Sequence, residues 1–268
     1  MTPPVVLTIA GSDSGGGAGI QADLKTFAAH GCYGASVLTA VTAQNTRGVT
    51  AVHAVPVDIV AAQLDAVLAD LPVAAVKVGM IGTPAVGALL AGRAAAGALP
   101  RLVVDPVLVA TSGDRLGAVE AVAPLLPYAE ILTPNIAEAA ALLGRPVRTP
   151  GEAAAAAAAL AARGPAAVVV TGGDLPGEPV DSLWSAGTGA RALRGPRVAT
   201  RNTHGTGCTF AAALAARFAR YPAEGVADAV AAAKTYLARA LAGAREWSIG
   251  AGHGPVDHFA RDTQGRRG

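Results

Sequence analysis

A regular alternation constrains this chain more than any single motif: short, nearly unbroken apolar runs are separated by alanine- and leucine-rich stretches of helical length. The runs fall at residues 5–10, 36–41, 74–78, 102–104, 131–132 and 167–170. Runs of this kind suit strands covered on both faces. The stretches 21–29, 59–70, 85–96 and 152–162 have the composition and length of the covering helices. Together they specify an α/β fold in three layers, a mainly parallel central sheet with helices on both faces. Over residues 179–198 the texture changes, and two short runs, 181–186 and 190–193, flank a glycine-containing turn. This predicts a small antiparallel hairpin at the sheet edge. Helices over about 207–220 and 223–244 close the pattern. No repeat or linker interrupts it, so residues 1–260 are expected to form one domain and 261–268 a flexible C-terminal tail.

Composition excludes several classes. Of 268 residues, 52% are hydrophobic, enough for a large buried core. With 21 basic and 19 acidic residues the formal charge is +2, and apart from Arg266 and Arg267 the basic residues are scattered. No nucleic-acid footprint results. Cys32 and Cys208 are far apart and form no disulfide framework, which fits a reducing compartment. The first ten residues lack a basic flank and run into a glycine loop, unlike a secretory signal. The alanine-rich stretch 153–162 is bounded by Glu152 and Arg163 and is too short to span a bilayer. A cytoplasmic protein without membrane or nucleic-acid partners is expected.

Four polar clusters interrupt the apolar pattern, each after a predicted strand, where open α/β sheets place ligands. The first, GSDSGGGAGIQADLKT at 11–26, has glycines at 15, 16, 17 and 19 that let backbone amides approach a ligand. It has neither GxGxxG spacing nor the lysine of a P-loop, since Gly17 and Ala18 stand at the positions after Gly16. A tight turn without a ligand has the same composition, and Asp23 beyond it also suits a solvated helix face. The second, TAQNTRG at 42–48, offers Gln44 and Asn45, whose paired donors and acceptors match a heterocycle edge or make a turn. The third joins VVDPVLVATSGD at 103–114 to LTPNIAEA at 132–139. Asp105, Asn135 and Glu138 present hard oxygens suited to Mg²⁺ at nucleotide phosphates. A capping box at the start of the next helix explains Asn135 and Glu138 equally well. The fourth, NTHGTGCTFAAALAA at 202–216, places two glycines and Thr206 before a long apolar helix, whose electropositive start suits a phosphate. At such a start Cys208 is expected to be biased toward thiolate and able to take a proton, the alternative being a buried structural cysteine.

These clusters, with the terminal GHGPVDHF at 252–259, resemble the bacterial hydroxymethylpyrimidine/phosphomethylpyrimidine kinases of the ribokinase-like superfamily, in family order from residue 5 to 259. The resemblance implies two successive transfers from ATP, producing the pyrimidine monophosphate and then the diphosphate on the way to thiamine. It implies that Gln44 and Asp23 contact the pyrimidine in a pocket lined by Gly11 and Met80. Asp105 and Glu138 would organise Mg²⁺, with Asn135, Thr171, Asn202 and Thr203 around ATP and its phosphates. Gly205, Thr206 and Gly207 would form an anion hole, and Cys208 would serve as base. A homodimer is implied; dependence on a monovalent cation is not fixed. Many members carry lysine where this chain has Thr111 and Thr171, so Arg115 or Arg201 is expected to replace part of that charge. A pyridoxal or pyridoxine kinase of the same superfamily and a non-catalytic pyrimidine sensor are the alternatives, with a Cys208–His204 hydrolase lacking any third partner visible in sequence.

Overall fold

The structure is a computed structural model and describes residues 2–108 and 116–260. The expected tail at 261–268, Thr111 and Arg115 all lie outside the described residues. Nine strands form one sheet in the order β3-β2-β1-β4-β5-β6-β7-β8-β9. They are β1 Val5–Asp13, β2 Tyr33–Asn45, β3 Gly48–Ala54, β4 Val73–Val78, β5 Leu102–Val104, β6 Ile131–Leu132, β7 Ala167–Val170, β8 Val180–Ser185 and β9 Gly189–Arg194. The run from β2 through β7 is parallel. Both ends turn antiparallel, through β3 on one side and β8 and β9 on the other. The expected hairpin is therefore present, and a second one, β2–β3, was not expected. Its strand β3 is almost wholly exposed, so it lacks the continuous apolar run by which covered strands are recognised.

Side chains along each strand alternate between two cores. Leu7, Ile9, Val76, Val78, Val104, Val168 and Val170 enter the first. It is covered by α2 Val57–Asp70, α3 Pro84–Ala95, α4 Val119–Val122, α5 Ile136–Leu143 and α6 Pro150–Ala161. Val6, Ala75, Val103, Ala167 and Val169 enter the second, under α1 Gly19–Ala29, α7 Thr206–Arg220 and α8 Val226–Gly243. The six buried residues from Ala211 to Ala216 are all alanine except Leu214, so α7 lies close to the strands. This places its N-terminus over the carboxyl ends of the parallel strands. No helix among the described residues is long and apolar enough to cross a membrane.

Candidate active site

The carboxyl ends of the parallel strands, with the starts of α1, α5 and α7, enclose a cavity of 1060 Å³. That is the upper end of the about 300–1,000 Å³ typical of small-molecule sites, and leaves room for two ligands side by side.

One wall carries Gly11, Gln44 and Met80. A side chain at Gly11 would bring a Cβ within 2.9 Å of the Met80 sulfur, so glycine there preserves the Met80 position. Gln44 is held through its backbone: Ser14 Oγ donates to its carbonyl at 2.7 Å and accepts from its amide at 2.8 Å. The glycine loop is organised by Asp13, whose carboxylate accepts from the amides of Gly15 (2.8 Å), Gly17 (3.0 Å) and Ala18 (2.8 Å). His204 Nε2 is 2.8 Å from the same carboxylate. Burial acts to raise the Asp13 pKa, but His204 and the loop amides outweigh it and hold the carboxyl below its ordinary range. Being ionised, it accepts, so Nε2 carries the proton.

The opposite wall is the start of α7. Gly205 has φ +81°, a left-handed conformation that glycine adopts without strain. Gly205, Thr206, Gly207, Cys208 and Thr203 all reach the cavity. The first amides of a helix have no intrahelical partner, the chemistry that suits an anion, although the Thr206 amide already donates to the Thr203 carbonyl at 3.3 Å. Asp105 Oδ1 would lie 3.9 Å from a Cβ at Gly207, which sets the acidic group against the anion turn.

Asp105, Glu138, Asn135 and Thr171 form the third side. Asn135 and Glu138 are a capping box: Asn135 Oδ1 accepts from the Glu138 amide and Glu138 Oε2 from the Asn135 amide, both at 2.9 Å. Its other oxygen is only 3.5 Å from the Leu108 amide. Burial, reinforced by the charge of Asp105, pushes Glu138 up to about 8. Asp105 Oδ2 is buried without a hydrogen-bond partner. Thr171 bridges to Asn135 across neighbouring segments.

Several expectations need correction. Asp23 is fully buried and absent from the wall; it accepts from Thr8 Oγ1 at 2.6 Å and from Lys77 Nζ at 3.0 Å. Its acidic group anchors Lys77 instead of meeting a ligand. Asn202 is also off the wall, because its amide donates to the carbonyls of Ala244 (2.6 Å) and Trp247 (3.0 Å). Arg201 is exposed and is not among the residues lining the cavity. Cys208 reaches the wall, but burial pushes its thiol up to about 12, with Lys77 offsetting only part of this. Desolvation thus opposes the thiolate bias expected from a helix start alone.

Lys77 is the residue that sequence reasoning missed. It is fully buried in β4, its ammonium 3.0 Å from Asp23 and 3.6 Å from Asp105, yet it reaches the cavity. Burial acts to lower its pKa, and the two carboxylates more than reverse this, so it stays charged. A lysine inside an otherwise apolar strand was the available signal. Further cations line the cavity, among them Lys234, 2.6 Å from Asp181, and Arg197, which donates to the carbonyls of Gly173, Leu175 and Gly177. The Thr171 loop is thereby fixed from both sides, as Asp181 Oδ1 also accepts from the Gly172 amide at 3.0 Å.

Comparison with known proteins follows the same outline. The family profile described as "Phosphomethylpyrimidine kinase" matches residues 13–257. A Rhizobium meliloti (strain 1021) protein named hydroxymethylpyrimidine/phosphomethylpyrimidine kinase is 52% identical over 263 residues, covering 96% of this chain and 97% of the relative. Among solved structures, Clostridium difficile 630 phosphomethylpyrimidine kinase is 38% identical with a TM-score of 0.75, over 89% of this chain and 99% of that one. An ADP complex of Bacillus subtilis pyridoxal kinase is 35% identical with a TM-score of 0.86, over 97% and 98%.

Proposed function

Because the chain belongs to the phosphomethylpyrimidine kinase family, we propose that it phosphorylates 4-amino-5-hydroxymethyl-2-methylpyrimidine from ATP, first to the monophosphate and then to the diphosphate, in one cleft. The observation that carries this is the convergence of Gly11, Gln44 and Met80 with the glycine turn at 205–208 on a single cavity. Gln44 has the donor and acceptor needed by an aminopyrimidine edge. The amides at the start of α7 stabilise charge on the transferring phosphoryl group, whose loose transition state needs positioning and neutralisation above all. Lys77 brings an ammonium, paired with Asp23 and Asp105, to the same cavity. In its thiolate form Cys208 takes the hydroxyl proton in the first transfer, a contribution of roughly 10²- to 10⁴-fold for a positioned base.

Mg²⁺ fits the acidic side, where Asp105 Oδ2, 3.6 Å from Lys77, has no hydrogen-bond partner, and where Glu138, its pKa raised by burial and by Asp105, adds a second carboxyl group whose charge a cation would favour. No group of three metal-ligating side chains occurs among the described residues, which suits an ion that keeps several waters and shares nucleotide phosphates. Bound there, the ion would supply charge neutralisation to the phosphates.

The alternative acceptor is pyridoxal, favoured by the likeness to the pyridoxal kinase structure. ADP release measured with hydroxymethylpyrimidine, its monophosphate and pyridoxal separates the readings. Turnover of the first two above pyridoxal is expected; turnover of pyridoxal alone, or binding without ADP release, overturns the proposal. The continuous sheet supports treating residues 1–260 as one domain. Two free cysteines and the use of ATP support a cytoplasmic location, and the family resemblance supports a homodimer, which light scattering tests directly.

A further inference from the structure

The pyrimidine wall and the phosphate turn come from opposite ends of the chain, yet a short series of hydrogen bonds joins them. Ser14 holds the Gln44 backbone in both directions, at 2.7 and 2.8 Å. The preceding residue, Asp13, is 2% exposed, and its carboxylate binds three loop amides and His204 Nε2. His204 directly precedes Gly205, and its own amide donates to the Gly254 carbonyl at 3.0 Å. The Gly252 amide in turn donates to Thr46 Oγ1 at 3.2 Å, in the turn between β2 and β3. The two glycine loops also touch. A Cβ at Gly17 would strike the His204 ring, and a Cβ at Gly205 would strike the Gly17 carbonyl. The two loops are thus in direct contact.

We propose that Asp13 and His204 are positioning residues that couple the loop reading the pyrimidine to the turn holding the transferred phosphate, so that each substrate tightens binding of the other. The inference rests on the kinase reading above. Its physical basis is that the bond between an ionised carboxylate and an imidazole N–H is charge-assisted and buried, among the stronger hydrogen bonds available. A ligand that orders Gln44 fixes Ser14 through its two hydrogen bonds and the adjoining Asp13 through the main chain, and Asp13 then fixes His204 and Gly205. Ordering already done by the first ligand need not be repeated for the second. The coupling is reciprocal, and values of roughly 5- to 150-fold are usual for such links.

The test is calorimetric titration of hydroxymethylpyrimidine with and without β,γ-methylene-ATP, and of the nucleotide with and without the pyrimidine. In the unaltered protein, each ligand is expected to enhance the other by the same factor, within roughly 5- to 150-fold. In His204→Ala and Asp13→Asn both ligands still bind, but the enhancement collapses toward unity. His204→Gln, which retains an N–H donor, keeps a larger share. Ser14 is exposed, so Ser14→Ala leaves the fold intact and isolates the Gln44 end of the series. It too should reduce the enhancement. Variants that lose thermal stability but keep the full enhancement overturn the proposal. So does an unaltered protein that binds both ligands independently, whereas failure to bind either ligand overturns the kinase reading itself.

Discussion

At the residue scale, Cys208 shows how two environmental effects compete. A helix start lowers a thiol pKa, but burial wins and pushes this one up to about 12. The thiol is therefore protonated at neutral pH, and the thiolate fraction grows about tenfold per pH unit below that value. If Cys208 is the base, phosphorylation of the hydroxymethyl group rises about tenfold per unit from neutral into the alkaline range. The second transfer, to an already ionised phosphate, lacks that slope. Cys208→Ala should remove the slope and slow the first step by roughly 10²- to 10⁴-fold while sparing the second. Initial rates for each acceptor against pH decide this, and a flat first-step profile removes Cys208 from the role. The residues at this site that sequence made legible are those breaking an apolar run, such as Asp105 and the 205–208 turn. Asp23 and Asn202 resemble ligand groups in sequence because sequence cannot distinguish a polar side chain facing a cavity from one bonded to Lys77 or to the Ala244 and Trp247 carbonyls inside the protein. Lys77 went unnoticed for the converse reason: its partners Asp23 and Asp105 lie on other elements. Only their pairing makes a buried ammonium tolerable.

At the element scale, helix starts were read late where proline or a cap residue leads the apolar pattern. α3 begins at Pro84 behind Thr83, whose hydroxyl accepts from Val86, and α6 begins at Pro150 behind Thr149. Thr149 and Glu152 form a capping box remote from the cleft. Thr149→Ala should cost about 1 kcal/mol and lower Tm by roughly 2–4 °C, with ADP release at 25 °C unchanged. A melt identical to that of the unaltered protein would show that the box contributes nothing. The exposed strand β3 escaped notice because a strand paired along one edge and covered on neither face needs few apolar residues. The short helix α4 and the 3₁₀ turn at Ala123–Tyr128 escaped for a different reason, being shorter than the periodicity by which a helix is recognised.

At the scale of the whole molecule, the segment after α8 fastens the cleft from behind. His258 within it is buried, and burial, aided by the charges of Lys25 and His204, pushes its imidazole down to about 4. The folded protein thus holds this ring neutral where an unfolded chain would protonate it. That contribution is fully present above the ordinary histidine pKa near 6.5 and is lost as pH falls from there through 4. The unaltered protein should lose up to about 3 kcal/mol more than His258→Gln between pH 7 and 4, read from urea midpoints. Parallel curves for the two proteins would exclude His258 from the acid response. By itself the sequence determined the layer order, because a strand covered on both faces must be apolar throughout and its helices must follow at fixed intervals. It also indicated where the cavity lies on the sheet, since polar and glycine residues concentrate at strand ends. Which of those residues face one another was decided only by tertiary structure. Asp13 and His204 are 191 positions apart, and Lys77 meets Asp23 across 54. Local propensity acts over a few residues, whereas pairing a buried charge depends on where distant segments are brought together in three dimensions.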